Sequence, residues 1–313
     1  MLAFILKRLL ATIPVVLFVA IFVFLMLRLT PSDPAAIIAG DSASTEQIAE
    51  IRTKLGLNEP IFSQFISWSS KILTGDFGES FFFKKTVASL IADRIEPTLS
   101  LSLFTMIIAI LVAVPLGVIA ARLQGTFLDR FVMGFSVLGF SVPVFIIGYV
   151  LIYIFHSQLG WFPAQGYQRF SEGVGGWIYR LILPSVTLSV IYIALVARMT
   201  RTSMLEVLSE DYVRTARAKG QVERKVLFRH ALRNAAVPIV TVIGSGVALL
   251  IGGAVVTESV YTIPGLGRLT VEAVLARDYP TIQAVILLFS VVYVMINLVI
   301  DILYRMLDPR IRY

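Results

Sequence analysis

Residues 9–27 read LLATIPVVLFVAIFVFLML, nineteen positions without a charged side chain. A helix needs about 20 apolar residues to cross the hydrocarbon of a bilayer, so this stretch predicts a membrane-spanning helix. Lys7 and Arg8 precede it, as basic residues precede the apolar part of a secretory signal. The apolar stretch is long for a signal, however, and residues 30–34 offer no small-x-small cleavage site. We therefore expect a retained first span.

The rest of the chain is similarly apolar. Of its 313 residues 57% are hydrophobic and 15% are charged, and the mean hydropathy is +0.85. A soluble domain of this size carries more surface charge, so much of the chain is expected to face lipid. The predicted fold is an all-α polytopic membrane protein with about six transmembrane helices. The predicted spans are Leu9–Leu27, Thr98–Ala121, Phe131–Phe155, Trp177–Ala197, Ala235–Thr257 and Thr281–Leu303.

The distribution of Lys and Arg predicts the orientation of these spans. Six spans place both termini on one side of the membrane, and that side carries 16 of the Lys/Arg residues against 11 on the other. Cytoplasmic loops are the richer in Lys and Arg. Both termini and the long loop 198–234 are therefore predicted to be cytoplasmic.

The segment 31–97 is predicted to form a small helical layer on the extracytoplasmic side. Ser44 and Gln47 have the spacing of a capping box, and Gly56 would end the helix that they begin. Pro60 suits the start of a second helix, and Gly75 follows it. A cap lying on the outer membrane surface is one interpretation of the segment, and contact with a delivered solute or its carrier is the other.

The loop 198–234 carries nine Lys/Arg and four Asp/Glu between two apolar spans. Ser209 is predicted to cap a short helix whose first residues, Glu210 and Asp211, would place negative charge at the positive end of the helix dipole. Gly220 would end this helix. Small residues run through it (Thr215, Ala216, Ala218 and Gly220), and Arg214, Arg217 and Lys219 flank them.

Three interpretations of this loop compete. A topology determinant needs far fewer charges, and a site for anionic lipid needs clustered charge but no capped helix with small side chains. Docking onto a cytoplasmic partner accounts for both features, because small side chains let another backbone approach closely. Nucleic-acid binding is disfavoured, since aromatic residues are nearly absent and acidic residues are interleaved with the basic ones.

The same loop resembles that of a known family. It reads YVRTARAKG at residues 212–220 and FRHALRNA at residues 228–235, with Pro238 beyond. These motifs resemble the cytoplasmic loop of ABC-importer permeases of the dipeptide/oligopeptide/nickel family. Arg214 and Thr215 replace the first two positions of the general Glu-Ala-Ala…Gly pattern, and Ala216 and Gly220 keep the others. The resemblance extends over most of the chain, with ESVYTIPGLGRL at 258–269, RDYP at 277–280 and DPRIR at 308–312.

The resemblance implies an inner-membrane permease subunit of a bacterial or archaeal importer that is driven by ATP. Such a subunit would work with a homologous second permease, two cytoplasmic ATPase subunits, an extracytoplasmic substrate-binding protein and the surrounding membrane lipid. The helix around residues 212–220 would seat in an ATPase groove and transmit its closure. The coupling residues would be Tyr212, Arg214, Thr215, Ala216, Arg217, Lys219 and Gly220. ATP and Mg²⁺ would bind the partner ATPases, because this sequence has no Gly-x-x-x-x-Gly-Lys-Ser/Thr phosphate loop.

Small and polar residues within the spans give a hypothesis for the translocation path. The candidates are Gly139, Ser141, Pro143, Gly244, Gly246 and Glu258. Bulky substitution at Gly139 or Gly246 is expected to block uptake and spare assembly. Asn297 and Asp301 are interpreted as structural polar residues in the last span. The chain has no cysteine, and its two histidines lack companions at metal-ligand spacing, so neither a metal site nor catalytic residues are predicted.

The predicted organisation has three parts. Residues 1–30 form the N-terminus and first span, 31–97 the extracytoplasmic helical segment, and 98–313 the transporter domain that contains the loop 198–234. The predicted solute is a short peptide or a related compound such as glutathione. Two other classes remain open: a secondary transporter driven by an ion gradient, and a membrane scaffold that recruits a cytoplasmic partner without transport.

Overall fold

The computed structural model describes residues 2–29, 35–36, 44–54 and 56–307. Nearly all of these residues are helical, which confirms the predicted all-α fold. The described strands form one antiparallel hairpin, β1 (Glu79–Ser80) with β2 (Lys85–Thr86). Residues 30–34, where no signal cleavage site was found, and residues 308–312, which carry the motif DPRIR, lie outside the described residues.

The helices vary widely in length. In chain order they are α1 (Leu2–Leu29), α2 (Thr45–Lys54), α3 (Ile61–Leu73), α4 (Val87–Arg122), α5 (Phe127–Ser141), α6 (Val144–Leu151), α7 (Val174–Leu208), α8 (Asp211–Ala218), α9 (Leu232–Val260), α10 (Leu266–Leu275) and α11 (Tyr279–Leu307). A π-helical segment, Ile152–Gln158, extends α6, and a 3-10 turn, Phe170–Glu172, precedes α7. A short helix, Glu223–Lys225, and a π-helical turn, Val226–Ala231, lead into α9.

Among the described residues, five helices are long and apolar enough to cross a membrane, and the count rises to six if a bent pair forms one span. The single helices contain the predicted spans other than Phe131–Phe155. The predicted span Phe131–Phe155 corresponds to the bent pair, in which α5 and the helix from Val144 to Gln158 meet at 105°. Pro143 lacks a backbone N–H and disfavours helical geometry in the preceding residue. Val142 is extended accordingly, with φ −92° and ψ 122°.

The predicted capping signals of α2 are confirmed. The Ser44 backbone N–H donates to Gln47 Oε1 at 2.9 Å, and the Gln47 backbone N–H donates to Ser44 Oγ at 3.3 Å. These reciprocal bonds satisfy two N–H groups that a helix start leaves without intrahelical acceptors. Gly56, at φ 66°, follows the helix in the left-handed conformation that ends it. Pro60 likewise precedes α3 and Gly75, at φ 83°, follows it.

The described chain divides into two compact units, and the first comprises residues 1–95 and 269–294. Here the ring of Phe24, on α1, packs against the rings of Phe65 and Trp68, on α3, with centroid distances of 5.1 and 5.4 Å. The β-hairpin is attached at Asp278, whose Oδ2 accepts hydrogen bonds from Ser80 Oγ and Thr281 Oγ1.

The second unit comprises residues 96–268 and 295–313, and α7 is its central helix. Helices α5, α6 and α9 pack against α7, which contributes buried Leu181, Leu188 and Tyr192 to the core. Gly117 on α4 allows a further close approach, because a Cβ atom there would lie 2.5 Å from Thr200 Cβ and 2.7 Å from the Ala197 carbonyl oxygen. Small residues at such contacts are characteristic of helix pairs in membranes.

Candidate coupling helix and substrate path

The candidate coupling helix is α8, which follows α7 with almost no linker. Glu210 is its N-cap residue, with extended backbone at φ −71° and ψ 147°. The prediction that Ser209 caps this helix is therefore wrong. Ser209 instead ends α7, where its Oγ donates to the Glu206 carbonyl oxygen at 2.7 Å. Asp211 lies in the first turn of α8, where its negative charge interacts favourably with the positive end of the helix dipole.

Gly220 ends the helical path, as predicted. Its φ of +76° is the left-handed conformation in which glycine has no steric penalty. In that conformation its N–H reaches the Arg217 carbonyl oxygen at 2.9 Å, and the Gln221 N–H reaches the Ala216 carbonyl oxygen at 3.2 Å. These bonds use carbonyl groups that the end of a helix would otherwise leave without partners.

Three contacts fix α8 to the start of the next membrane helix. Val213 is fully buried, as is Val226 on the following segment. Asn234 Nδ2 donates to the Tyr212 hydroxyl oxygen at 2.7 Å. Arg217 forms a bidentate ion pair with Glu223, at 2.9 and 3.3 Å. These contacts attach α8 to the segment that leads into α9 and to the first turn of α9.

The outward surface of α8 is small and basic. Thr215 and Ala218, one turn apart, are exposed, and so are Arg214 and Lys219. Ala216 is half-buried on the inner side, so it belongs to the contact with the rest of the chain. Arg214 pairs with Asp211 at 3.3 Å across the surface, a kind of contact that contributes only about 0–1 kcal/mol. Two small side chains flanked by cations thus form a surface that another protein can approach closely.

The three glycines predicted to line a path pack against helices of this chain. A Cβ atom on Gly139 would lie 2.9 Å from Ala194 Cβ, and one on Gly244 would lie 2.4 Å from Ile300 Cδ1. A Cβ atom on Gly246 would lie 3.2 Å from the ring of buried Tyr192. Ser141 and Pro143, in contrast, are exposed where α5 ends and the chain bends. The hypothesis of a path-lining role thus applies to the bend better than to these glycines.

This packing changes the expected effect of substitution at Gly139. Leucine there would require α5 and α7 to separate, and overpacking of this kind costs about 1–3 kcal/mol. Leucine at Gly134, five residues earlier on the same helix, meets no atom within 4 Å of its Cβ position. We therefore expect Gly139→Leu, but not Gly134→Leu, to lower the thermal unfolding temperature of the purified protein. Equal unfolding temperatures would contradict the close contact.

Glu258 lies inside the protein rather than on a surface facing solute. Its side chain is fully buried, and its carboxylate accepts hydrogen bonds from Thr98 Oγ1 at 2.6 Å and from the Arg268 N–H at 2.9 Å. The Leu266 N–H donates to Thr98 Oγ1 at 2.8 Å. A Cβ atom on Gly265 would lie 2.2 Å from Glu258 Cδ, so glycine is needed for the carboxylate to sit against this turn. Glu258 thus holds the turn 261–268.

Sequence reasoning missed the buried ion pair between Asp129 and Arg201. Arg201 Nε donates to Asp129 Oδ1, and Arg201 Nη2 donates to Asp129 Oδ2 at 2.9 Å. The Gly125 N–H also donates to Oδ2 at 2.9 Å. The pair joins the first turn of α5 to α7, eight residues before α7 ends at Ser209.

A cluster of polar and aromatic residues near the start of α7 was also missed. The Tyr167 hydroxyl donates to Glu96 Oε1 at 3.1 Å, and Trp177 Nε1 donates to the Tyr167 oxygen at 3.0 Å. Burial raises the pKa of the Tyr167 hydroxyl, so it remains a protonated donor at neutral pH. These bonds order the loop before α7.

The polar residues predicted in the last span occupy different environments. Asn297 is exposed on α11, and Asp301, one turn later, is half-buried. An exposed amide within an apolar helix is suited to a contact with another helix.

Two family models match the chain. The model described as "Binding-protein-dependent transport system inner membrane component" matches residues 113–313, and the model described as "Binding-prot-dependent transport system membrane comp, N-term" matches residues 1–102. Together they cover nearly the whole sequence.

Full-length relatives give the same result. The chain is 56% identical over 310 residues to "Probable peptide ABC transporter permease protein y4tP" of Sinorhizobium fredii, with 99% of each chain covered. It is 46% identical over 313 residues to "Glutathione transport system permease protein GsiC" of Salmonella typhimurium, with 100% of each chain covered.

A solved structure shares the fold. The inward-facing MetNI methionine ABC transporter includes a chain that superposes with a TM-score of 0.58 at 18% identity, covering 70% of this chain and 96% of that one. At this identity the likeness concerns the fold alone.

Proposed function

The chain belongs to the family of binding-protein-dependent transport system inner membrane components, and we propose that the solute it helps to import is a short peptide or a related compound such as glutathione. It is a multi-pass permease subunit of the peptide group of ABC importers. The full-length likeness to a peptide permease and a glutathione permease supports this class of solute.

The proposed assembly contains a homologous second permease, two cytoplasmic ATPase subunits and an extracytoplasmic binding protein. ATP and Mg²⁺ bind the ATPase subunits, and this chain performs no covalent chemistry. The support is the family membership together with a sequence that has no phosphate-binding loop.

The proposed topology counts the bent pair α5–α6 as one broken span. Six spans then place both termini and α8 in the cytoplasm, in agreement with the excess of Lys and Arg on that side. In this arrangement the basic loop 198–234, including the outward surface of α8, faces the cytoplasmic ATPase subunits.

The observation that carries the proposed mechanism is the attachment of α8. Its outward surface is small and basic. Tyr212 binds Asn234 at the start of α9, Arg217 binds Glu223 on the short helix that leads into α9, and Val213 is fully buried. Closure of the ATPase subunits displaces α8 as a rigid piece, and α7 and α9 carry that displacement into the membrane. The solute site thereby alternates between the two sides.

Uptake by proteoliposomes tests this function. The chain is reconstituted with its partner subunits, and uptake of labelled dipeptide and glutathione is measured after addition of the binding protein. We expect uptake that requires ATP hydrolysis and is insensitive to an uncoupler. Uptake that follows an ion gradient without ATP would identify a secondary transporter, and absence of uptake under both conditions would favour a scaffold.

Substitution on the outward surface of α8 tests the coupling contact. Tryptophan at Thr215 or Ala218 would hold the ATPase surface away, and a misfit of about 1–3 kcal/mol corresponds to a loss of ATPase affinity of roughly 5-fold to 150-fold. The matched controls are Thr215→Ser and Ala218→Ser, which keep the residue small. We expect the tryptophan variants to lose ATP-driven uptake and co-purification of the ATPase, and the serine variants to keep both. Normal co-purification with tryptophan at both positions would place the ATPase contact elsewhere.

A further inference from the structure

Helix α3 presents an apolar surface that the described chain leaves uncovered. Phe62 is 75% exposed, Ile66 is 52% exposed and Leu73 is 87% exposed. At 100° per residue these three side chains fall within about 40° of one another on the helix. A contiguous apolar stripe of this kind marks an interaction surface.

The packing of α3 sets its position relative to the bilayer. Its Phe65 and Trp68 contact Phe24, which is 1% exposed and lies three residues before the end of the apolar stretch 9–27. At 1.5 Å per residue, Phe24 is about 4.5 Å from that end. The α3 helix therefore lies at the boundary between hydrocarbon and headgroups.

A second membrane span indicates the same depth of α3 in the bilayer. Gln283 Nε2 donates to the Val23 carbonyl oxygen at 3.0 Å, and Gln283 is near the start of the apolar span Tyr279–Leu303. Two spans thus reach their ends where α3 is attached. The surface of α1 below this level is itself open, with Phe18 70% and Phe22 61% exposed.

The composition of α3 fits a lipid surface better than a soluble partner. The side away from the apolar stripe carries Ser67 and Lys71, about 140° and 180° around the helix from Phe62, and Ile61–Leu73 contains no acidic residue. An interfacial helix has this composition, with aromatic and aliphatic residues on one side and polar or basic residues on the other. Lys and aromatic side chains are also favoured at the headgroup level.

We propose that α3 is an interfacial membrane anchor. It lies in the plane of the membrane, with Phe62, Ile66 and Leu73 in the boundary between headgroups and acyl chains, and Lys71 directed to the lipid phosphates. The anchor fixes the helical segment after α1 to the same leaflet in which the outer end of α1 terminates. This inference concerns the membrane contact alone and does not depend on which solute is carried.

Nitroxide labelling tests the proposal, because a chain without cysteine permits single labels. Ile66→Cys and Leu73→Cys report the apolar stripe, and Ser67→Cys, at an exposed position on the other side of the same helix, is the matched control. Each labelled chain is reconstituted with its partner subunits into vesicles of phosphatidylethanolamine and phosphatidylglycerol, and only those that retain ATP hydrolysis are measured. Accessibility to dissolved oxygen is compared with accessibility to a water-soluble nickel chelate.

We expect the labels at 66 and 73 to be accessible to oxygen and shielded from nickel, and the label at 67 to be accessible to nickel. Accessibility of labels 66 and 73 to nickel equal to that of the control would overturn the proposal. Shielding from both reagents would also overturn it, because it would show that a protein partner covers the stripe. Phe62→Cys reports the same stripe if labelling at 66 or 73 prevents assembly.

Discussion

Replacing Asp129 with alanine is expected to destabilise the folded permease by about 1.5–3 kcal/mol, less than for a fully buried ion pair, since water screens the partly exposed charge of Arg201. The Asp129 side chain is 5% exposed and the Arg201 side chain 19% exposed. Both carboxylate oxygens bind Arg201, and Oδ2 also accepts from the Gly125 N–H. The loss therefore affects one partly buried cation and one backbone donor together. Thermal unfolding of the detergent-solubilised protein measures it.

A second variant separates the ion pair from general damage to the core. Replacing both partners with apolar residues of similar volume, Asp129→Leu with Arg201→Met, is expected to cost less than either single change, because neither charge remains buried. The surface control is Arg214→Ala, which removes an exposed pair and is expected to change stability by less than about 1 kcal/mol. A double variant that loses the full sum of the single losses would show that the pair is not coupled.

Local sequence signals predicted the limits of α2 and α3 and the end of α8. The Ser44–Gln47 capping box and the positive-φ glycines Gly56 and Gly220 act within a few residues of themselves, so a single sequence contains the information. Ser209 shows the limit of this reasoning. Ser209 was predicted as the N-cap of α8, but α7 extends to Leu208, so Ser209 ends α7 and Glu210 is the N-cap residue.

Features that depend on distant residues were not predicted. The residues of Phe131–Phe155 allow a kink at Pro143, but the 105° size of the bend depends on the packing of both halves against other helices. Asp129 and Arg201 are 72 positions apart, and Thr98 and Glu258 are 160 apart. The sequence analysis counted Arg201 among the charges of the basic loop and placed Glu258 on the solute path. Residue types and their positions do not show which charges pair inside the protein.

The helix α9 connects the candidate coupling surface to the turn held by Glu258. Its first residues follow the segment to which α8 is fixed, and Glu258 is in its last turn. At 1.5 Å per residue the distance along α9 is about 40 Å, enough to cross the hydrocarbon. The turn 261–268 is attached to α9 and to Thr98 by the same carboxylate. We infer that a displacement starting at α8 moves this turn through α9.

This arrangement gives the prediction for Glu258. Glu258→Ala removes two charge-assisted hydrogen bonds, each worth about 1.5–3 kcal/mol, so we expect a loss of stability of about 3–6 kcal/mol. Glu258→Gln keeps the volume and one acceptor oxygen, and we expect it to lose less. Thr98→Val removes the hydroxyl that binds both Glu258 and the Leu266 N–H. We expect all three variants to unfold at lower temperatures than the parent. The decrease is expected to be smallest for Glu258→Gln, larger for Thr98→Val and largest for Glu258→Ala.

The control is the adjacent Ser259→Ala, because Ser259 is exposed and its hydroxyl donates only to the Val255 carbonyl oxygen of its own helix. We expect this variant to retain both the stability and the transport of the parent. Glu258→Gln combined with Thr98→Val is expected to lose less than the sum of the single losses, because both changes remove one shared hydrogen bond. Additive losses, or an alanine variant as stable as the serine control, would show that Glu258 does not hold the turn, and the proposed link from α8 to the far end of α9 would then lack its last contact.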